Sequence, residues 1–225
     1  IRLFLHGYRG NPAAPTGDGM ETIEPPVLEG GATLRLSREK LAALVEAATV
    51  EFLDHGYRGA NVDRIAAEVR ASKATIYRQF GNKEKLLRYV IQRDIYEASQ
   101  VVLRPDEATD PDTAVANLAR AALDEHLHPR NIRMHRLLIQ EADLVPDLAH
   151  RFHTVREQRL GQALIAVLAA HARPAPAAPD IGAFYVLTTF AVRFLTIDAN
   201  VDAAERNTYA SEAARLFLHG LAPRS

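Results

Sequence analysis

The sequence of 225 residues has no cysteine. That excludes a disulfide framework, thiolate metal sites, a cysteine nucleophile and a thiol redox sensor. It suits a reducing cytoplasm, the expected location. No uncharged apolar run reaches the roughly 18–20 residues that span a bilayer, so no membrane partner is expected. Ile1 to Gly7 is partly apolar, but it is too short for a secretory signal and lacks the charged-then-apolar order. Period-2 alternation bounded by turn residues is missing as well, which predicts an all-α chain. G-x-S-x-G, H-E-x-x-H and phosphate-binding glycine loops are absent, which argues against an enzyme. Carboxylate neighbours such as Asp124-Glu125 and Glu141/Asp143 fit helix surfaces or ends. Of the nine histidines, His150 and His153 share a helical face, whereas His126 and His128 do not. With no third convergent ligand, neither a metal nor another cofactor is expected.

Hydrophobic residues make up 48% and charged residues 24%, an ordinary globular balance. The length fits one large domain or two small ones, burying about 70% of the unfolded-chain surface. A net charge of -1 conceals an asymmetry. From Arg35 to Arg88 there are 11 Lys/Arg against 7 Asp/Glu, and elsewhere 16 against 21. From Arg64 to Arg88 the ratio is 7 to 2. A basic block on an otherwise acidic chain suggests a polyanion-binding module, although a plain solvated helix face gives the same count.

Residues 1–33 carry turn and linker chemistry without a sustained period, as in Asn11-Pro12 and Glu29-Gly30-Gly31, and are expected to form a flexible tail. Two short echoes stand out. Arg2 to Gly7 recurs at Arg215 to Gly220, and His6 to Gly10 recurs at His55 to Gly59. Both are too short to be structural repeats. From Ser37, an N-cap candidate, the pattern turns helical. Leu41, Leu44, Val45, Ala48, Phe52 and Leu53 recur at helical spacing until Gly56. Asn61 caps a short helix with Val62, Ile65, Ala66 and Val69 on one face, and Ser72 caps another with Ile76 and Phe80 inward. Gly81-Asn82 breaks it. A longer helix is expected from Lys83 to about Leu103. Further helices are expected near 112–127, 131–144, 146–172, 180–198 and 203–220, with the Pro-rich stretch 173–179 a stiff connector.

Residues 61–80 read helix, turn of about three residues, helix, as a DNA-reading helix-turn-helix requires. With Ile76 and Phe80 inward, Ala74, Thr75, Tyr77 and Arg78 point elsewhere, and Lys73 flanks the helix start. Cations meet guanine edges or phosphates, methyls meet thymine, and hydroxyls meet phosphate oxygens. Lys83 opens the next helix, where its charge and free backbone N–H groups can share a phosphate.

The stretch from Phe52 through Gly56-Tyr57, Asn61 and Ile65-Ala66 to Ser72-Lys73-Ala74-Thr75-Ile76-Tyr77-Arg78-Gln79-Phe80-Gly81-Asn82-Lys83 resembles the N-terminal domain of TetR-family transcriptional regulators. The Thr75-x-Tyr77-x-x-Phe80-x-x-Lys83 spacing is its distinctive part. Leu138 to Ala142 with Pro146 to Leu148 is similar to the bodies of the AcrR-like and AefR-like branches. The resemblance implies an all-α fold. A three-helix DNA-binding domain, here 34–82, is joined through a fourth helix to a helical effector-binding and dimerisation domain, here 83–225. It also implies DNA contacts from Asn61, Ser72, Lys73, Ala74, Thr75, Tyr77, Arg78 and Lys83. Three positions depart from the family pattern. Arg70 stands where Gly is usual, at a cost of about 1 kcal/mol if its φ is positive. Asp63 stands where a basic residue is common, and Val62 lacks a hydroxyl found there.

The stretch Ile181–Ile197 is apolar nearly all round, with Arg193 its one charge, so it must be covered on every side. Its own domain plus a second copy of the chain is the simplest cover. The resemblance implies that this helix and the last one pair with their copies, through Phe184, Phe190, Phe194, Tyr209, Leu216 and Phe217. A polar minority in the body could orient a mostly apolar effector: His126, Arg133, His135, Arg156, Tyr185, Thr188 and Arg193. The expected function is a homodimeric repressor, released from a palindromic double-stranded DNA operator by a small hydrophobic molecule. The alternative is an architectural or non-specific DNA-binding protein without an effector.

Overall fold

The computed structural model describes residues 7–8, 23–28, 36–101, 103, 110–189 and 201–221. Among these there is no strand, and nine helices account for the regular structure: α1 Arg38–Gly59, α2 Val62–Glu68, α3 Lys73–Phe80, α4 Lys83–Gln100, α5 Pro111–His126, α6 Pro129–Gln140, α7 Pro146–Ala170, α8 Ala178–Thr189 and α9 Ala203–His219. The expected caps form. Ser37, Asn61 and Ser72 accept from the N–H groups of Lys40, Asp63 and Thr75. Asp110 and Asp202 cap α5 and α9 in the same way. Each cap satisfies a donor that the first turn leaves without a partner. Gly56, at φ 64, interrupts α1, a conformation that costs a glycine little. Gln100 ends α4 three residues before the expected Leu103. The end of the expected 180–198 helix, with Phe190, Arg193 and Phe194, lies outside the described residues.

The chain divides into two compact units. One holds residues 22–100 and 133–153. Its centre is the apolar stripe of α1, with Leu44, Val45, Ala48 and Phe52 fully buried, and α4 packs on α1. Leu86, Leu87, Val90 and Ile91 of α4 are buried with it. A division at 82/83 was expected from the sequence, but α4 groups with the helices before it because its apolar face is spent there. Residues 133–153 join through polar ties. Arg133 pairs with Asp54, Asp147 with Arg88, and Glu141 Oε1 accepts from the Tyr57 N–H at 3.1 Å.

The other unit holds residues 1–21, 101–132 and 154–225. Here α5, α8 and α9 pack on one another. Their core is rich in alanine: Ala114, Ala119 and Ala122 of α5, Ala163 of α7, and Ala210 and Ala214 of α9, around Leu164, Val167, Phe184 and Phe217. Small side chains let the helix backbones approach closely. Gly161 of α7 is the extreme case, since a Cβ there would stand 2.6 Å from Ile181 Cγ2 of α8. The expected flexible tail is corrected at Tyr8. Its N–H donates to the Phe217 carbonyl at 2.8 Å, and its ring stacks on Phe217 at 4.8 Å. Tyr8 therefore belongs to the core of this unit, at 8% exposure.

Candidate functional site

The helix-turn-helix is built by burying one face of each short helix. Val62, Ile65 and Ala66 of α2 and Ile76, Gln79 and Phe80 of α3 point inward. Between them, Arg70 stands where the family pattern has Gly and takes φ 51, the left-handed of the two alternatives left open for it, and the Ala71 N–H returns to the Ala66 carbonyl at 2.9 Å. Lys73, Ala74 and Arg78 are left exposed, with Thr75 and Tyr77 half-buried beside them.

The cations of this block are spent unevenly. Arg64 makes a forked pair with Glu51 at 2.5–3.1 Å and donates to the Gly59 carbonyl. Burial pushes the Glu51 carboxyl up, but the hydrogen bonds from Arg64 and the Asn61 N–H outweigh it and hold the group below the usual carboxylate range. Lys73 Nζ sits 2.9 Å from Asp63 Oδ2, and this pairing raises the lysine's pKa. Lys83 was expected to face a phosphate. Instead Nζ turns inward, donating to the Ala60 carbonyl at 2.6 Å and lying 4.8 Å above the Tyr57 ring. Ser72 and Thr75 hydroxyls bond each other at 2.8 Å, so Thr75 closes the cap. Arg78 and Arg70 are exposed and make no ion pair among the described residues. The Asp63–Lys73 pair and the Glu51 hub escaped sequence reading because partners 10 and 13 residues apart lie on different helices.

In the body, three of the expected effector residues share one narrow cleft. His126, Arg156 and Tyr185 line it with Leu103, Ala122, Glu125, Asn131, Arg159, Leu160 and Thr189. It has about 20 Å³ of space, roughly that of a single water. Arg156 and Arg159 are 7% and 8% exposed, and Arg159 pairs with Glu125. Burial pushes the Tyr185 phenol up to about 12, and its hydroxyl has no hydrogen-bond partner of sound geometry among the described residues. Thr188 does not line the cleft. It is fully buried and bonds the Phe184 carbonyl of its own helix. Arg133 and His135 belong to the other unit, where His135 packs edge-on against Phe152 at 4.7 Å. Arg159 was missed, although its i,i+3 spacing from Arg156 was the available signal. Among the described residues, no three His, Asp or Glu converge on a point.

Of the expected dimer residues, Phe184 and Phe217 are fully covered within the chain, their rings 4.9 Å apart. That corrects their reading as partner-facing. Tyr209 and Leu216 keep part of their surface exposed.

The geometry of a short-turn helix pair on an all-helical chain matches that of known proteins. Residues 44–90 match the family model for bacterial regulatory proteins of the tetR family, and residues 113–220 match that of the AefR-like transcriptional repressor C-terminal domain. The chain belongs to the TetR family. It is 39% identical over 94 residues to an HTH-type transcriptional repressor of Streptomyces coelicolor, a match covering 41% of this chain and 46% of that relative's length. Two solved structures share the fold at 21% identity. A TetR-family transcriptional regulator from Mesorhizobium loti has a TM-score of 0.69, covering 82% of this chain and 97% of the other. The flavonoid-responsive regulator FrrA has a TM-score of 0.60, covering 80% and 95%. No described helix is long and apolar enough to cross a membrane.

Proposed function

We propose that this chain is a sequence-specific transcriptional repressor that binds a palindromic DNA operator as a homodimer and is released by a small, mostly apolar molecule. The observation that carries the reading is α3. Its buried Ile76, Gln79 and Phe80 leave Lys73, Ala74, Thr75, Tyr77 and Arg78 on one solvated side, behind a capped turn. Cation, methyl, hydroxyl and phenol are the groups that read major-groove edges and phosphates. Asn61, Ser72 and Lys83 flank this surface, as cap residues and as the start of α4.

Two copies are needed because one such helix reads few base pairs. Successive major grooves recur about 34–36 Å apart, and a two-fold dimer matches a palindrome. Tyr209 and Leu216 are the described side chains that would face the second copy. The body cleft around Arg156 and Tyr185 would take the effector. That one structural neighbour is named for its response to flavonoids supports a small-molecule signal. The α4 helix has 18 residues, about 27 Å at 1.5 Å each, and works as a lever for the helix-turn-helix. A ligand acts through its differential affinity for two states, typically about 1–3 kcal/mol.

The test is selection of a site from random DNA, followed by competition against bulk DNA at physiological salt. The expected preference is about 10³-fold or more. Equal affinity for both would favour the architectural reading and end this one.

A further inference from the structure

Gly7 and Tyr8 seat on the last turn of α9, far from them in sequence, by three contacts. The Tyr8 N–H donates to the Phe217 carbonyl at 2.8 Å, while the neighbouring Leu216 carbonyl is closed by the Gly220 N–H at 3.0 Å. Two consecutive carbonyls that a helix end leaves open are thus answered, the second by Tyr8. The Tyr8 ring lies flat on Phe217, and Phe217 packs in turn on Phe184 of α8. Gly7, at φ 68, comes so close that a Cβ there would collide with the Leu218 carbonyl. The seat is written in the sequence. His6-Gly7-Tyr8-Arg9-Gly10 recurs at His55 to Gly59. There Gly56 is likewise left-handed, at φ 64, and the Tyr57 N–H donates outside its own helix, to Glu141 Oε1. The Tyr8 hydroxyl forms no hydrogen bond among the described residues, and Arg173 acts on it through charge alone. Ring and N–H therefore carry the seat. A second tie on the same turn, His219 Nε2 to Asp112 Oδ1 of α5, is about half exposed at both ends and adds little.

We propose that Tyr8 is a positioning residue for assembly: it fixes the last turn of α9, and with it Leu216, in the conformation that meets a second copy of the chain. This rests on the homodimer reading and adds to it a residue far from α9 in sequence. Leu216 immediately precedes Phe217 and keeps part of its surface exposed, so the turn that presents it is the turn that Tyr8 holds. Phe217, clamped between Tyr8 and Phe184, also sets α9 against α8, whose Val186 is 58% exposed. A helix end with open carbonyls frays. An interface built on a frayed turn must order it on association, and a turn already ordered avoids that cost.

The test compares the full native chain with Tyr8→Ala, Tyr8→Phe and Val167→Ala. Sedimentation gives the dimer dissociation constant, and amide hydrogen exchange reports the last turn of α9. Tyr8→Ala should raise the dissociation constant about tenfold or more and speed exchange in that turn. Tyr8→Phe keeps ring and N–H and should match the native chain in both. Val167 is fully buried in α7, away from α8 and α9, so Val167→Ala should lower the urea midpoint yet leave the dissociation constant unchanged. That control separates positioning from general loss of stability. A native dissociation constant in Tyr8→Ala, an equal rise in Val167→Ala, or a Tyr8→Phe chain that behaves like Tyr8→Ala overturns the proposal. A native chain that is monomeric at micromolar concentration ends the homodimer reading instead. The seat is then judged by exchange alone, and an α9 end as protected in Tyr8→Ala as in the native chain overturns it.

Discussion

Lys73 Nζ lies 2.9 Å from Asp63 Oδ2, so the lysine at the head of the reading helix is held by an acid on the helix before it. Both side chains are about half exposed, and the pair adds little to stability. Its effect should fall on binding, because on the proposed docking it would place a negative charge beside the phosphates and it occupies a cation. Asp63→Asn should tighten binding to every DNA sequence and steepen the dependence of log K on log salt by about one unit. Fluorescence anisotropy at several salt concentrations measures this. An unchanged slope would mean that Lys73 does not approach the backbone.

The two residues Leu216 and Phe217 separate assembly from folding. Phe217 stacks on Tyr8 and packs on Phe184, so Phe217→Ala should cost about 3–5 kcal/mol and lower the urea midpoint. Its half-exposed neighbour should behave differently. Leu216→Glu should retain full helix content yet sediment as a monomer at micromolar concentration, where the native chain should sediment as a dimer.

Arg70 sits at φ 51 and makes no ion pair among the described residues. An L-residue there costs about 1–2 kcal/mol, part of which glycine returns through its own entropy. Arg70→Gly should therefore stabilise the helix-turn-helix unit by about 1 kcal/mol, read from chemical unfolding. It also removes an exposed cation, so stability and DNA affinity should move in opposite directions.

Glu51 gives the first unit a pH dependence of definite sign. Its folded pKa lies below its unfolded value, so its contribution is complete above about pH 5 and is lost as pH falls through the depressed value. Glu51→Gln should be less stable at neutral pH. Its stability should also decline less steeply than the native chain's below about pH 5. Parallel curves would show that Arg64 and the Asn61 N–H do not hold the carboxylate in solution.

Local signals were legible in the sequence because their partners are sequence neighbours. The caps at Ser37, Asn61 and Ser72, the break at Gly56 and the inward pair Ile76 and Phe80 all depend on residues within about one turn. Long-range choices were not legible. Periodicity marks Phe184 and Phe217 as apolar faces, but it cannot say whether their cover comes from the same chain or a second one. Tyr8 lies in a stretch without periodicity, and only its fit against Phe217 gives it a place. Lys83 reads as a free cation until the Ala60 carbonyl and the Tyr57 ring are brought beneath it.

Gly161 sets the spacing between α7 and α8, since a Cβ would meet Ile181 at 2.6 Å. One turn along each helix from that contact stand Glu157 and Tyr185, and Tyr185 lines the cleft beside Leu160. A methyl group at this position is thus a wedge driven in beside the cleft. Gly161→Ala should therefore force Ile181 to shift or push α8 away from α7 beside the cleft. On the proposed effector reading, such a chain should keep its reading helix intact yet bind a selected operator more weakly with no small molecule added.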